Sequence, residues 1–528
     1  MSDISSFQFN KTQFEKIRQF SFGSNWPVVY LIEDGQELYV GETTNAYNRS
    51  NQHYNKPERR KLKNIHIITD EEYNKSATLD IESSLIQYIS ADGHFVLQNG
   101  NHGLQNSNYF DRQKYQAKFE IIWQELKKMS IVQNELVQIR NSDLFKYSPY
   151  KALTADQLMV VNELLPEIQA GNKKTFIING GPGTGKTILA TYLFKRLGEL
   201  KETRELKVGL VVPMTSLRKT IKKVFKNIKG LSPNMVIGPS EVSNKYNILI
   251  VDEAHRLRQR KNITNFKAFD DTNKLLGFDA NGTELDWIMK CSDTQILFYD
   301  ENQSVRPSDV SPKEFSRLQV NEFKLTSQLR ISSGIEGEKY INFIQNIFDL
   351  QNLKKEKFDY YDFKIYDDIR QMVNDIKTKN SEIELCRLVS GYAWPWVSKK
   401  DPSKHDIEID GLKLKWNSVN HNWVYSDNAI NEVGCIHTVQ GYDLNYAGVI
   451  IGPEISYDSE HKKFVIHREN YMDMNGRRGV DDDKELERYI INIYKTLLTR
   501  GIEGTYVYIV DEELRKYFKD KIEYLEKD

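Results

Sequence analysis

Cysteine is scarce: three residues in 528, at positions 291, 386 and 435, too scattered for a disulfide framework or a thiolate metal site. That scarcity points to a reducing compartment, the cytoplasm. No apolar run approaches the roughly 18 residues that span a bilayer, which predicts no membrane anchor. The opening Met1-Ser2-Asp3-Ile4-Ser5-Ser6 lacks the basic and apolar regions of a secretory leader, so none is expected. There is no excess charge of either sign: 73 Lys+Arg meet 74 Asp+Glu, a net of −1. A polyanion partner would therefore have to be held by local basic surfaces. Internal repeats and low-complexity tracts are absent too.

What is present is ordinary globular material, 39% hydrophobic and 28% charged, enough for several packed domains. From residue 151 onward strand-like and helix-like runs alternate, the pattern of parallel α/β layers. The most informative stretch lies there. Thr175-Phe176-Ile177-Ile178-Asn179 reads as a strand and runs into Gly180-Gly181-Pro182-Gly183-Thr184-Gly185-Lys186-Thr187, and a helix-like segment follows. This is a phosphate loop in its proper setting. Its glycines let successive backbone N–H groups turn inward around a phosphate. Lys186 suits the β- and γ-phosphates of ATP, and the Thr187 hydroxyl suits Mg²⁺. About 65 residues on, the strand run Asn247-Ile248-Leu249-Ile250-Val251 ends in Asp252-Glu253-Ala254-His255. Asp252 is the expected Mg²⁺ ligand, and Glu253 the group that aligns and deprotonates the attacking water. A third strand, Gln295 to Tyr299, leads into Asp300-Glu301-Asn302-Gln303, where Gln303 could sense the γ-phosphate. Upstream, Gln157 of Leu153-Thr154-Ala155-Asp156-Gln157 reads either as an adenine contact or as part of a helix cap begun by Thr154.

Three later motifs complete an order. They are Leu325-Thr326-Ser327-Gln328-Leu329-Arg330, then His437-Thr438-Val439-Gln440-Gly441-Tyr442-Asp443, then Tyr494-Lys495-Thr496-Leu497-Leu498-Thr499-Arg500. In this sequence residues 151–512 resemble superfamily 1 helicases. The stretch Val389-Ser390-Gly391-Tyr392-Ala393-Trp394-Pro395-Trp396 narrows the resemblance to a bacterial group related to the Schlafen helicase domain. The resemblance implies two RecA-like lobes, residues 151–330 and 331–528. It implies arginine fingers at Arg330 and Arg500, and a Gln440 that touches nucleic acid and nucleotide. Two guanidinium groups are what a developing phosphoryl charge needs. Trp394, Trp396, Trp416 and Trp423, four of the seven tryptophans, cluster in the second lobe, either as a packing core or as stacking platforms for bases.

Residues 1–110 carry a second chemistry. Trp26 to Ile32 and Leu38 to Thr43 read as a hairpin around an Asp34-Gly35 turn. A helix-like segment over 44–54 carries Arg49 and His53 one turn apart. Another over 76–90 carries Glu82. Val28-Val29-Tyr30 and Tyr39-Val40-Gly41, with Arg49, Glu82 and a late Asn99, resemble the GIY-YIG nuclease domain. Asn101 and Asn106 compete with Asn99. Val28-Val29 stands where Gly-Ile is commoner. The resemblance implies an α/β nuclease domain in which a tyrosine, Tyr30 or Tyr39, assists proton removal from water. Arg49 would stabilise the phosphate, His53 would relay a proton, and Glu82 would hold one Mg²⁺ or Mn²⁺. This segment has ten Lys+Arg against thirteen Asp+Glu, with one basic cluster over 56–63 that includes Arg59, Arg60 and Lys61. Phosphate contacts alone should hold DNA weakly there.

Between the two, Tyr115, Phe119, Ile122, Leu126, Met129, Val132, Leu136 and Ile139 recur at helical steps. They predict one long amphipathic helix over 111–150 that packs on a neighbouring domain or pairs with a second copy. The whole reads as an ATP-dependent nuclease–helicase acting on nucleic acid, with DNA favoured over RNA. By resemblance such fusions serve bacterial anti-phage defence. The alternative is a nucleic-acid-stimulated ATPase switch or sensor that does not unwind, whose first domain only binds or cuts RNA.

Overall fold

The computed structural model describes residues 3–100, 109–242, 244–331, 335–419, 422–439 and 441–523. The chain forms two compact units. One gathers the residues before Gly171 with Ile188–Glu205 and Thr220–Val236; the other comprises Gly171–Thr187, Leu206–Lys219 and the chain from Ile237 onward.

The first unit is built on five strands: β1 (Asp3–Gln8), β2 (Val28–Glu33), β3 (Glu37–Thr43), β4 (Asn64–Thr69) and β5 (Val96–Leu97), in the order β1-β4-β2-β3-β5. All pairs are antiparallel except β3 with β5. The β2–β3 turn closes because Asp34 Oδ1 accepts the N–H groups of Gln36 and Glu37 and Gly35 takes φ 88°. β2 is buried along its whole length, which explains its unbroken apolar run. Helix Ala46–Tyr54 starts where the Asn45 side chain accepts from Asn48 N. Helix Lys75–Asp92 starts at Asn74, which accepts from Ala77 N, and ends at Gly93 with φ 74°.

The single long helix expected over 111–150 is instead three, Arg112–Lys128, Leu136–Asn141 and Asp143–Lys146. The break has a long-range cause. Ser130 turns left-handed with φ 58°. The Asp92 carboxylate then takes the N–H groups of Gln133 and Asn134, and Trp123 Nε1 donates to Asn134 O at 3.0 Å. Helix Ala155–Gln169 follows, closed at its start by a reciprocal Thr154–Gln157 capping box.

The second sheet contains β6 (Thr175–Gly180), β7 (Val208–Val211), β8 (Val236–Ile237), β9 (Tyr246–Val251), β10 (Ser292–Tyr299) and β11 (Val320–Leu325), ordered β11-β6-β10-β9-β7-β8. The pairs β11–β6, β6–β10, β10–β9 and β9–β7 are all parallel. A third sheet contains β12 (Asp362–Tyr366), β13 (Cys386–Ser390), β14 (Ile407–Ile409), β15 (Leu412–Trp416), β16 (Glu432–Cys435), β17 (Leu444–Ile451) and, after a β18–β19 ribbon (Ile455–Asp458 and Lys463–Ile466), β20 (Gly501–Ile509). Its order is β12-β20-β17-β13-β16-β15-β14, parallel apart from the β14–β15 hairpin. Both are mixed α/β layers with buried parallel strands, as expected of RecA-like lobes. Of the clustered tryptophans, Trp416 and Trp423 are core residues at 1% and 0% exposure. Trp423 lies against Gly434, and Tyr392 stacks on Trp416 with centroids 5.5 Å apart. Trp394 and Trp396 are half-buried against the core that holds Trp416, whereas Trp423 belongs to a separate cluster. Among the described residues no helix is long and apolar enough to cross a membrane.

Candidate functional site

Parallel strands deliver their C-terminal ends to one edge of a sheet, and the phosphate loop sits at that edge, straight after β6. Gly183 and Gly185 take φ 80° and 74°, conformations that side chains rarely adopt. A Cβ on Gly183 would fall 2.0 Å from the Gln328 amide, so the loop is also tightly backed. Thr184 Oγ1 braces the turn by donating to Gly181 O at 2.9 Å. Lys186 and Thr187 open the helix Lys186–Glu199. The Lys186 ammonium is buried and donates to Gly180 O at 2.7 Å and Gly181 O at 3.1 Å. It also lies 3.6 Å from Asp300 Oδ2.

Thr187 and Asp252 meet directly: Thr187 Oγ1 donates to Asp252 Oδ2 at 2.7 Å. Burial, with the Glu253 charge beside it, pushes the Asp252 carboxyl above its ordinary range, while Thr187 and Lys186 oppose the shift. Glu253 sits at φ 55°, a left-handed backbone for a non-glycine residue, of the kind that clusters at functional sites. Burial works against its ionisation, but His255, Lys186 and Arg500 outweigh it and hold Glu253 below the carboxylate range. His255 Nε2 is 2.8 Å from Glu253 Oε2.

Gln303 is buried and donates to Asp300 Oδ2 at 2.6 Å, so it reaches the loop lysine through that carboxylate. Asp300 is the residue sequence reasoning passed over. The register that pairs Tyr299 with Asn179 brings it beside the loop. Gln157 is fully buried, and its amide oxygen accepts from Thr154 N at 3.1 Å, the capping alternative. Gln440 lies outside the described residues.

Arg330 is tied to both sheets of its unit. Its backbone N–H donates to Gln328 Oε1 at 2.8 Å, and Gln328 Nε2 donates to Pro182 O of the phosphate loop at 2.9 Å. Its guanidinium donates to Asp443 Oδ1 at 2.5 Å and to Thr499 O at 2.9 Å. Arg500, next in the chain, is 4% exposed and donates to Tyr442 O at 3.3 Å. Gln328, Asp443 and Thr499 were in view only as parts of motifs.

In the first unit the hairpin and the helix that follows it bring Tyr30, Tyr39, Arg49 and His53 together. Tyr30 on β2 is buried, and its ring crosses Gly41 of β3, its register partner. A Cβ on Gly41 would fall 2.3 Å from Tyr30 Oη, so any side chain there would displace the Tyr30 ring. His53 Nε2 lies 2.8 Å from that hydroxyl, and Arg49 Nε donates to it at 3.2 Å. The Tyr39 and His53 rings are 4.9 Å apart. Burial and the neighbouring Tyr39 push the Tyr30 phenol above its ordinary range, against the pull of Arg49. Burial, with Arg59, Arg49 and Lys56, drives His53 down to about 3, so the ring is neutral. Glu82 is mostly withdrawn from solvent. Burial and then the Glu42 charge raise its carboxyl to about 7, opposed by Lys75 and Arg49. Among the described residues no group of three or more His, Cys, Asp or Glu could hold a metal. The Asn99 side chain brackets Val40, accepting from its N–H at 3.0 Å and donating to its carbonyl at 2.9 Å. It extends the edge of β3 and faces backbone. Asn101 and Asn106 fall outside the described residues. Arg59 belongs to this cluster and was visible in the sequence only as one of several basic residues.

The chain is 28% identical over 389 residues to the uncharacterized protein YPL245W of Saccharomyces cerevisiae, covering 65% of this chain and 83% of that one. Among solved structures it is similar to the Pif1 helicase from Bacteroides in complex with ADP-AlF3 and ssDNA, at 12% identity over 71% of this chain and 95% of that one, TM-score 0.29. It is also similar to the Pif1 helicase from Candida albicans, at 11% identity over 70% and 99%, TM-score 0.28. At such scores neither likeness bears on function. The helicase domain of Schlafen group 3, a DNA/RNA helicase domain, matches residues 173–511, about two thirds of the sequence. With the phosphate loop, the Asp252–Glu253 pair and both motif arginines inside that span, the chain belongs to the Schlafen group 3 helicase family.

Proposed function

We propose that this protein is an ATP-dependent nuclease–helicase acting on nucleic acid, with DNA favoured over RNA. In this reading residues 1–110 are the nuclease, 111–150 a connector, and 151–330 and 331–528 the two lobes of the motor. The observation that carries the motor half is the Lys186–Thr187–Asp252 constellation beyond the ends of the parallel strands β6 and β9, which flank β10. Its left-handed glycines form a cradle that fits a triphosphate with Mg²⁺. Lys186 and the loop N–H groups would hold the phosphates, and Thr187 and Asp252 the cation. When bound, the cation neutralises charge on the transferring phosphoryl group. Glu253, kept ionised, orients the attacking water and takes its proton. Arg330 and Arg500 stabilise the charge that develops.

The observation that carries the nuclease half is the buried Tyr30–His53 pair with half-buried Arg49 on the Tyr30 hydroxyl and Glu82 nearby. Arg49 would stabilise the phosphate under attack, and the Tyr30–His53 pair would manage the proton of the attacking water. Glu82 would hold a divalent cation, Mg²⁺ or Mn²⁺, which supplies Lewis-acid polarisation of the scissile phosphate. A role in anti-phage defence rests on the family resemblance of such fusions.

The test is cleavage of end-labelled single-stranded DNA, duplex DNA and RNA with Mg²⁺ or Mn²⁺, with and without ATP, by the wild type and Glu82→Ala. Metal-dependent cutting lost in Glu82→Ala supports the reading, and its ATP response separates a motor that drives cutting from one that restrains it. ATP turnover without cutting of any substrate refutes the nuclease.

A further inference from the structure

The buried face of the β2–β3 hairpin holds a polar chain one residue longer than the nuclease reading requires. The Arg59 guanidinium lies over the Tyr39 ring, 3.5 Å from its centroid, and meets His53 Nδ1 through Nη1. The opposite ring nitrogen, His53 Nε2, meets Tyr30 Oη. Arginine carries only donors and is always charged. His53 Nδ1 must therefore be the acceptor. A neutral imidazole has one N–H, which then sits on Nε2 and donates to Tyr30. With Arg49 Nε–H on the same oxygen, two donors converge on Tyr30 Oη.

The other tautomer reverses this polarity. With its proton on Nδ1, His53 would turn Nε2 into an acceptor and draw the Tyr30 hydroxyl proton inward, and the Arg59 N–H would face another N–H. We propose that Arg59 is a positioning residue of the nuclease site: it locks His53 as the Nε2–H tautomer, so that Tyr30 Oη receives two hydrogen bonds and can release its own proton outward to solvent, leaving a phenolate to take the proton of the attacking water. The inference rests on the nuclease reading of this cluster. The other charged or titratable groups that face the pair are Tyr39, Arg49, Lys56 and Glu82. Two donors on one phenol oxygen favour its anionic form and so counter burial, which disfavours it.

The experiment uses the full chain labelled with ¹⁵N-histidine, with the His53 signals identified by their loss in His53→Gln. At neutral pH the wild type should show Nδ1 bare and Nε2 protonated. Arg59→Met keeps the stem and removes the donors. It should move His53 towards the Nδ1–H form and slow metal-dependent cleavage about 100-fold, the scale of a lost acid–base contribution. Arg59→Lys keeps a donor and should restore both the tautomer and most of the cleavage. ATP turnover, unchanged in every variant, reports an intact chain. An Nδ1–H ring in the wild type, or an Nε2–H ring unaltered in Arg59→Met, overturns the proposal. Should the wild type cut nothing, the nuclease reading falls by itself, while the tautomer still answers whether Arg59 sets it.

Discussion

Gly41→Ala tests whether the first unit is built around the Tyr30 hydroxyl. The added Cβ would stand 2.3 Å from Tyr30 Oη and 2.4 Å from Cζ. Ordinary contact begins near 3.4 Å, so the ring must move by roughly 1.1 Å. That displacement stretches the 2.8 Å contact with His53 Nε2 and the 3.2 Å bond from Arg49 Nε to about 4 Å, where neither is a hydrogen bond. Overpacking a buried strand costs about 1–3 kcal/mol, and each lost hydrogen bond adds about 1 kcal/mol. The sum is about 3–5 kcal/mol, confined to one unit of the chain. Hydrogen exchange suits such a local loss better than global unfolding of a two-unit protein. Amides of Val28–Glu33 and Glu37–Thr43 should exchange at least about a hundredfold faster. Metal-dependent cleavage should disappear, and ATP turnover should stay at its wild-type rate. A hairpin that exchanges as slowly as before in a variant that still cuts would refute the reasoning.

Three further outcomes are expected. Lys186→Ala removes the ammonium that the loop directs at its own carbonyls and at Asp300; phosphate release from ATP should cease, and an unchanged rate would remove the motor assignment. Glu253→Gln keeps the shape and removes the proposed base, so nucleotide should still bind while turnover falls at least about a hundredfold; equal turnover would show that another group aligns the water. Glu454 is fully buried, bonded through one oxygen to the Tyr494 hydroxyl and through the other, among the described residues, to nothing, and burial raises it from 4.5 to about 7. The folded chain therefore binds this proton more tightly than the unfolded chain does, and stability falls as pH rises from about 4.5 to about 7. The gap is worth about 3 kcal/mol. Glu454→Gln should flatten that slope, gaining on the wild type above pH 7 and little below pH 4.5; parallel curves for the two proteins would refute it.

What the sequence made legible was local. The phosphate loop announces itself because strand, glycines and helix are contiguous, and Thr187 with Asp252 follows once two strand ends are recognised. Arg49 and His53 were legible as one helix face, and both do touch Tyr30. Residues whose role depends on which strands are neighbours were not. Asp300 reaches Lys186 because β10 lies beside β6, a pairing no periodicity encodes. The break in the connector has no proline or glycine to mark it. Its cause is the carboxylate of Asp92, about 40 residues earlier. Arg59 was hidden for a different reason: in a run of basic residues, composition cannot say which one turns inward over Tyr39.

The motor site has a common logic that bears on how tightly it can bind. Each group expected to meet nucleotide or cation is already engaged by a protein partner of matching character. Lys186 faces two carbonyls and a carboxylate, Thr187 faces Asp252, and Arg330 faces Asp443 and the Thr499 carbonyl. Nucleotide binding is then an exchange of partners, so its net free energy falls well short of the summed strength of the new hydrogen bonds and ion pairs. The exchange is also not confined to the loop. Gln328 links Pro182 O to the Arg330 backbone, and the Arg330 side chain grips residues that flank β17 and β20 of the third sheet. A phosphate that drew Arg330 away would break its bonds to Asp443 and to Thr499 O together. The arginine of one sheet would thereby report the state of the loop to the other, which is the differential interaction a nucleotide-driven change between two arrangements requires.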